Sequence, residues 1–253
     1  MDLGIRRKHA LITGGARGLG AQIAHTLARE GCLITILSRN ESELQACCQR
    51  LQNEGAQAQY AVFDLSSGDA HALKSKVEEA LGPVDIIIAN AARTSRPQKF
   101  THMPDEDWYE TINSDLNGHY RLLKSFLPGL QERGWGRIIF IGSLSGVLGA
   151  SAYPVYCTVK AAYEGWVKNL AVDYSKYGIT TNLISPGFIE TERFKAAAPE
   201  ALLEKFRQAT ATKRLASPEN IAEAVAFLSS QPASYITGVN LPVCGGLNLG
   251  NLW

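Results

Sequence analysis

Short apolar runs alternate with longer amphipathic stretches from one end of the chain to the other. The runs "HALIT" (9–13), "LITIL" (33–37), "AQYAVF" (58–63), "VDIIIA" (84–89), "RIIFIG" (137–142) and "ITTNLIS" (179–185) read as strands. Helical patterns lie between them, near 18–30, 41–54, 68–81, 105–131, 154–177 and 217–229. Strands that are apolar on both faces and separated by helices imply a parallel sheet covered on each side. No Ser/Pro/Gly-rich linker, repeat or low-complexity tract divides the chain. The pattern therefore predicts one α/β domain with a doubly wound parallel sheet.

Composition agrees and narrows the partners. With 253 residues, 45% apolar and 19% charged, the chain has ordinary globular usage and ample core. A net charge of +1 provides no global attraction to nucleic acid or to an anionic membrane. Five cysteines (32, 47, 48, 157 and 244) are odd in number and lack CxxC or His-paired zinc spacing. A reducing compartment and no bound metal are expected. The start "MDLGIRRKHALITGG" has no apolar leader core, and nowhere do 18 apolar residues run together. These features predict a soluble cytoplasmic protein.

The first candidate chemistry is "TGGARGLG" (13–20), which follows the first strand and opens the first helix. Glycines there let the backbone turn tightly and approach a pyrophosphate, which a helix N-terminus attracts. Gly14, Gly18 and Gly20 are spaced G-x-x-x-G-x-G, not the commoner G-x-G-x-x-G, and tight α/β turns need glycine even without a ligand. Position in the first βα unit favours nucleotide binding. After the second strand, Ser38 stands where an acidic residue would bind a ribose 2′-hydroxyl, and Arg39 follows it. Arg17 lies in the glycine turn. Either arginine alone reads as a solvated edge residue; together, with no carboxylate, they suit the 2′-phosphate of NADP over NAD.

The second is "YPVYCTVK" (153–160). Pro154 suits a first helical position, and the helix it opens runs to a C-cap at Gly178. Tyr156 and Lys160 are then i and i+4, about 6 Å apart on one face, whereas Tyr153 is about 10.5 Å from Lys160. Only Tyr156 can share a small reacting centre with the lysine. Such a pair is commonplace on helices, and the octapeptide alone reads more simply as an aromatic packed under a lysine stem.

The glycine pattern, "ANAA" after the fourth strand, "GSLSG" after the fifth, "YCTVK" and "SPGFIET" follow in order along the chain. In this the sequence resembles the short-chain dehydrogenase/reductase family over essentially its whole length, and most of all the 3-oxoacyl-carrier-protein reductase-like members. The resemblance implies a single Rossmann-type, NAD(P)-binding domain over 1–253, with about seven parallel strands, helices on both faces, and a substrate segment of loop and helices near 188–210. It implies that Ser143, Tyr156 and Lys160 are catalytic. Beyond Gly14, Arg17, Gly18, Leu19, Gly20, Ser38 and Arg39, it assigns Asp64 and Leu65 to the adenine and Asn90 and Ala91 to the cofactor's flank. Pro186, Gly187, Ile189 and Thr191 would border the nicotinamide, with Tyr156 and Lys160 also touching the cofactor. Tyr153 falls outside the motif and would line the substrate cleft.

The chemistry is coherent on its own terms. Reducing a ketone needs a hydride at carbon and a proton at oxygen. Tyrosine, with an ordinary pKa of about 10, is a poor base near neutrality. A lysine cation one turn away, with the charge of an oxidised nicotinamide, would lower that value, and Ser143 would donate to the carbonyl oxygen. The sequence departs from the family pattern at three places. Ala92 replaces the usual glycine of "NAG", Asp115 stands seven residues after Trp108 where many members carry a relay asparagine, and Cys244 precedes Gly245-Gly246 where an acidic residue is usual.

The expected activity is NADP(H)-dependent reduction of a ketone or aldehyde, with NAD-linked oxidation of a secondary alcohol or polyol as the alternative. A non-catalytic dinucleotide sensor is the competing class, and the presence of Ser143, Tyr156 and Lys160 argues for turnover. The partner is a small carbonyl or alcohol, and the resemblance implies a homo-oligomer, tetramer or dimer. The cleft is expected from 92–100, 144–153 and 188–206. Arg93 and Arg96 there are placed to receive a carboxylate or phosphopantetheine-type ligand, or to stay solvated.

Overall fold

In the computed structural model, which describes residues 2–93 and 96–250, seven strands form one parallel sheet. They are β1 (His9–Thr13), β2 (Leu33–Ser38), β3 (Ala58–Val62), β4 (Ile86–Ala89), β5 (Gly136–Ile141), β6 (Ile179–Pro186) and β7 (Asn240–Val243), in the order β3-β2-β1-β4-β5-β6-β7. The six strands expected from the apolar runs are present within two residues at either end. The unannounced strand is β7, whose "NLPV" carries Asn240 and Pro242. Proline is tolerated because β7 is an edge strand, paired only with β6.

Alternate residues of the strands serve two cores. Ile12, Ile86, Ile88 and Ile139 join the core under α1 (Gly18–Arg29), α2 (Glu41–Asn53) and α10 (Pro218–Ser229). Leu11, Ile87, Ile138 and Phe140 join the opposite core, under α3 (Ala70–Leu81), α5 (Gly118–Arg133) and α7 (Pro154–Tyr174). Each strand is therefore apolar throughout, which is why period 2 is invisible in its sequence. Because the order reverses between β1 and β4, the loops leaving those strands diverge and open a crevice at the C-terminal sheet edge.

The stretch expected as one helix over 105–131 is divided. Between α4 (Asp105–Thr111) and α5, Ile112–Asn117 form a wider π-helical turn. There the carbonyl of Asp115 accepts two side-chain hydrogen bonds, one from Tyr163 Oη of α7 (2.8 Å) and one from His119 Nδ1 four residues on (2.7 Å). Three short helices were not evident in the apolar pattern: α6 (Ser145–Leu148), α8 (Glu192–Ala197) and α9 (Glu200–Ala209), the last two within the segment expected near 188–210.

Gly20 is a glycine of the turn that packing does not allow to be replaced. A Cβ there would stand 2.1 Å from the Gly14 carbonyl oxygen and 2.7 Å from Asn90 Nδ2. Gly18 has φ +55° but open space around the missing Cβ, so substitution there meets only backbone strain. Gly20→Ala is expected to cost about 2 kcal/mol or more of unfolding free energy, against about 1 kcal/mol for Gly18→Ala. Urea midpoints of the two variants check this; equal losses would contradict the packing argument.

Candidate active site

The glycine turn ends β1 and delivers α1 into the crevice. Gly14 and Gly18 both have left-handed φ, and Arg17, the residue before α1, makes no side-chain cap. No acidic residue occupies the first turn of α1. Its N-terminus is thus free of an internal anion and faces a cavity of about 1600 Å³. Of the residues assigned to a cofactor, Gly14, Arg17, Gly18, Leu19 and Gly20 line one part of this cavity. Ser38, Arg39, Asp64, Leu65, Asn90, Ala91 and Thr191 line the rest. These features fit a dinucleotide: a helix terminus for the pyrophosphate, a turn whose Gly18 leaves Cβ space open, and a cleft running on to β2 and β4.

The described lining does not include Pro186, Gly187, Ile189, Tyr156 or Lys160. Pro186 and Gly187 lie at the neighbouring end of β6, where the Leu144 N–H donates to the Pro186 carbonyl at 3.0 Å and brings Ser143 alongside. Ile189 pairs with Ala216 instead. The lining adds residues that the sequence reading did not single out, among them Leu37, Arg50, Phe63 and Ser114. Apolar Leu37 and Phe63 follow from strand ends; Arg50 reaches the cleft from the third turn of α2 and carried no signal.

One expectation needs correcting. The two arginines, Arg17 in the glycine turn and Arg39 after β2, are not free of carboxylates. Arg17 Nη1 donates to Glu43 Oε1 at 3.1 Å, because Asn40 caps α2 and turns its first-turn Glu43 back toward the glycine turn. The positive charge of Arg39 acts on Asp64, whose carboxyl is held below its usual range first by the Ser66 hydroxyl hydrogen bond and further by both Arg39 and Arg93. Arg93 pairs with Glu110 through Nη2 (2.6 Å), Arg96 is exposed, and Thr94 and Ser95 of the same expected cleft segment lie outside the described residues.

The helix α7 begins at Pro154 and presents Tyr156 and Lys160 one turn apart, as the spacing requires. Lys160 is fully buried: Nζ donates to the Ile141 carbonyl at 2.7 Å and lies 4.9 Å from the Tyr163 ring centre and 5.7 Å from that of Tyr156. Ser143 follows β5 by two residues and reaches Tyr156 with its hydroxyl. Tyr153 stands edge-on to Tyr156, ring centres 6.4 Å apart. Ser143, Tyr156 and Lys160 therefore gather where β5 meets α7.

The chain's own groups do not depress the Tyr156 pKa as the sequence reading expects. Burial pushes it above the usual phenol value, the Ser143 hydrogen bond counters this, and Asp115 and Tyr153 add to the rise. Burial also pulls Lys160 down to about 8, and the carboxylate of Asp115 opposes that. Asp115 itself is buried and held above the usual carboxylate range by desolvation. Both its oxygens accept from the Arg93 N–H (3.1 and 2.9 Å), and Ser114 donates its hydroxyl to one of them.

At the other end of that loop, the Thr13 hydroxyl accepts from the N–H groups of Asn90 (2.9 Å) and Ala91 (3.0 Å). Asn90 Nδ2 returns to the carbonyls of Thr13 (2.9 Å) and Gly14 (3.3 Å). The Asn90–Arg93 wall of the cleft is therefore pinned at both ends, and Ala92 is exposed and lines the cleft. Cys244 is buried at the end of β7 and donates its thiol to Asn248 at 3.0 Å.

Residues 14–248 match the family model described as enoyl-(acyl carrier protein) reductase. The 3-oxoacyl-[acyl-carrier-protein] reductase of Pseudomonas aeruginosa is 35% identical over 246 residues, covering 97% of this chain and 99% of that protein. A solved 3-oxoacyl (acyl-carrier-protein) reductase of Agrobacterium tumefaciens with NADP bound superposes with a TM-score of 0.90 at 31% identity, over 96% of this chain and 95% of the other. Gluconate 5-dehydrogenase of Burkholderia cenocepacia, solved with NADP and tartrate, gives a TM-score of 0.92 at 29% identity, over 99% and 98%. Among the described residues no helix is long and apolar enough to cross a membrane.

Burying the Lys160 charge has a measurable cost. Between about 8 and 10.5 the unfolded chain retains a proton the folded chain has lost, so stability rises with pH across that window. Below it the folded chain bears the whole penalty. Lys160→Met is therefore expected to stabilise the fold at pH 7 by on the order of 2 kcal/mol, the gain fading as pH reaches the ordinary lysine range. Urea unfolding at a series of pH values tests this. A difference that does not change with pH would contradict it.

Proposed function

The chain belongs to the short-chain dehydrogenase/reductase family, and on that premise we propose that it is an NADP(H)-dependent reductase of a ketone, of 3-oxoacyl type, reversible as a secondary-alcohol dehydrogenase. The observation that carries this reading is the gathering of Ser143, Tyr156 and buried Lys160 beside a cleft built on a glycine turn and an open helix N-terminus. When bound, NADPH would supply the hydride to the carbonyl carbon. Tyr156 Oη gives its proton to the carbonyl oxygen as negative charge develops there, and the Ser143 hydroxyl donates a second hydrogen bond to the same oxygen. The tyrosinate left behind is supported by the Lys160 ammonium one helical turn away.

The pyrophosphate would be met by the first turn of α1 and the backbone at Gly14–Gly20, the 2′-phosphate by Arg17 and Arg39 beside Ser38. Charge-assisted hydrogen bonds of this kind contribute roughly 1.5–3 kcal/mol each before screening. Arg17 must share its guanidinium with Glu43, and both sites are solvated, so a preference of about tenfold for NADP is the expected floor.

For the substrate, Phe188, Phe194 and Phe206 stack on one another in the 188–210 segment, with Phe188 and Phe206 ring centres 3.9 Å apart. This apolar wall supports an acyl substituent on the ketone over a polyol. The alternative, oxidation of a polyol or sugar acid, is favoured by the likeness to gluconate 5-dehydrogenase. Acetoacetyl thioesters and gluconate, each assayed with both nicotinamides, separate the two.

Tyr156→Phe is expected to lower kcat by at least a hundredfold, in line with loss of a general acid, while leaving the fold and cofactor Kd near wild type. Tyr153→Phe is expected to be far milder; the reverse ranking would reject the assignment. The kcat/KM ratio for NADPH over NADH at fixed ionic strength is expected to be about ten or more in the wild type. It should invert in Ser38→Asp, whose carboxylate repels the phosphate and accepts the ribose hydroxyls. A wild-type ratio near or below unity would promote the NAD-linked reading.

A further inference from the structure

His119 has no place in the chemistry above, yet it is wholly buried and hydrogen-bonded through both ring nitrogens. Its Nδ1 lies 2.7 Å from the Asp115 carbonyl oxygen, and its Nε2 lies 3.0 Å from Thr13 Oγ1. A carbonyl only accepts, so the proton is on Nδ1 and Nε2 is left as an acceptor. The Thr13 hydroxyl then donates its single proton to Nε2, and both its lone pairs remain for the Asn90 and Ala91 N–H groups. Tyr163 Oη donates to the same Asp115 carbonyl and, 3.2 Å from Nδ1, can accept only from the Nδ1–H. Burial, reinforced by the positive charge of Lys160, holds the imidazole pKa to about 4, so the ring is neutral at pH 7 and the proton directions are fixed.

The two partners of His119 are the two anchors of one loop. Thr13 holds the Asn90–Ala91 end, and Asp115 holds the Arg93 end through its carboxylate. We infer that His119 is a positioning residue for the cofactor cleft, its neutral Nδ1–H imidazole joining Thr13 to the Asp115 turn and so setting both ends of the Asn90–Arg93 wall at once. The effect on the cofactor rests on the dinucleotide reading of the cleft; the effect on the loop does not. A leucine at 119 fills the space but frees the Thr13 proton to turn to the Ile88 carbonyl, 3.2 Å away, and removes the imidazole donor from the Asp115 carbonyl, which keeps Tyr163.

The test has three readouts on the whole protein. In the wild type, ¹⁵N NMR of histidine at pH 7 is expected to give His119 as the neutral Nδ1–H tautomer; the Nε2–H tautomer or a charged ring overturns the assignment. In His119→Leu, hydrogen exchange at the Asn90, Ala91 and Arg93 amides is expected to accelerate at least tenfold relative to amides of β1 and β5. Exchange at these three that stays level with the strand amides overturns the proposal. His119→Asn, which keeps a donor near the Nδ1 position, is expected to restore protection at Arg93 but not at Asn90 and Ala91. Restoration at all three, or at none, overturns the two-anchor assignment. Finally, the Kd for NADPH, read by nucleotide fluorescence, is expected to rise at least fivefold in His119→Leu. An unchanged Kd in a variant whose loop amides do exchange faster overturns the link to the cleft. A wild type that binds no NADPH rejects the cofactor reading and leaves the exchange result to decide the role of His119.

Discussion

A lysine ammonium held out of water is the constraint around which this site is arranged. An isolated buried cation is costly enough that it ordinarily gives up its proton or finds compensation. Lys160 is compensated on several sides: by the Ile141 carbonyl at the end of β5, the Tyr163 ring, and the negative charge of Asp115. Each compensator comes from a different element, so the ammonium can exist only where β5, α7 and the π-helical turn meet. The same meeting point puts Tyr156 and Ser143 together. Stability is given up there to hold a buried charge, a common signature of functional sites.

The sheet order explains why this point faces a cleft. Order reversal between β1 and β4 opens the crevice, and the glycine turn and the Asn90–Arg93 loop line it as adjoining walls, joined where Asn90 donates to the Thr13 and Gly14 carbonyls. Neither wall carries much core of its own. The loop is held by hydrogen bonds at its two ends, and those bonds pass through Thr13 and Asp115 to the helix that carries Lys160. Geometry at the reacting groups and geometry at the cofactor wall are thus two expressions of one buried polar network, and a fully satisfied network of this kind has few alternative arrangements.

Much of this was legible in the sequence, for identifiable reasons. Apolar runs of five or six residues separated by amphipathic stretches can form little other than a covered parallel sheet, and once Pro154 opens a helix the Tyr156–Lys160 spacing puts the two side chains one turn apart. The edge strand β7 was hidden by Asn240 and Pro242, which only an unpaired edge permits. The π-helical turn was hidden because the distant Tyr163, 48 residues away, donates to its Asp115 carbonyl beside the local His119. The Arg17–Glu43 pair joins residues 26 apart across a helix cap, and no local pattern announces it. The direction of the Tyr156 pKa shift was likewise out of reach, because it depends on burial and not on the lysine beside it in sequence.

The central claim is that these groups carry a hydride transfer to a carbonyl carbon. The most direct measurement is the fate of deuterium from NADPH carrying deuterium at both C4 positions of the nicotinamide, in a single turnover with an acetoacetyl thioester, read by mass spectrometry and NMR of the product. The account predicts one deuterium, bound to the new carbinol carbon of the hydroxyacyl product, with none incorporated from solvent at that position. Product formed without the label on that carbon, or no product from any carbonyl with either nicotinamide, would contradict it.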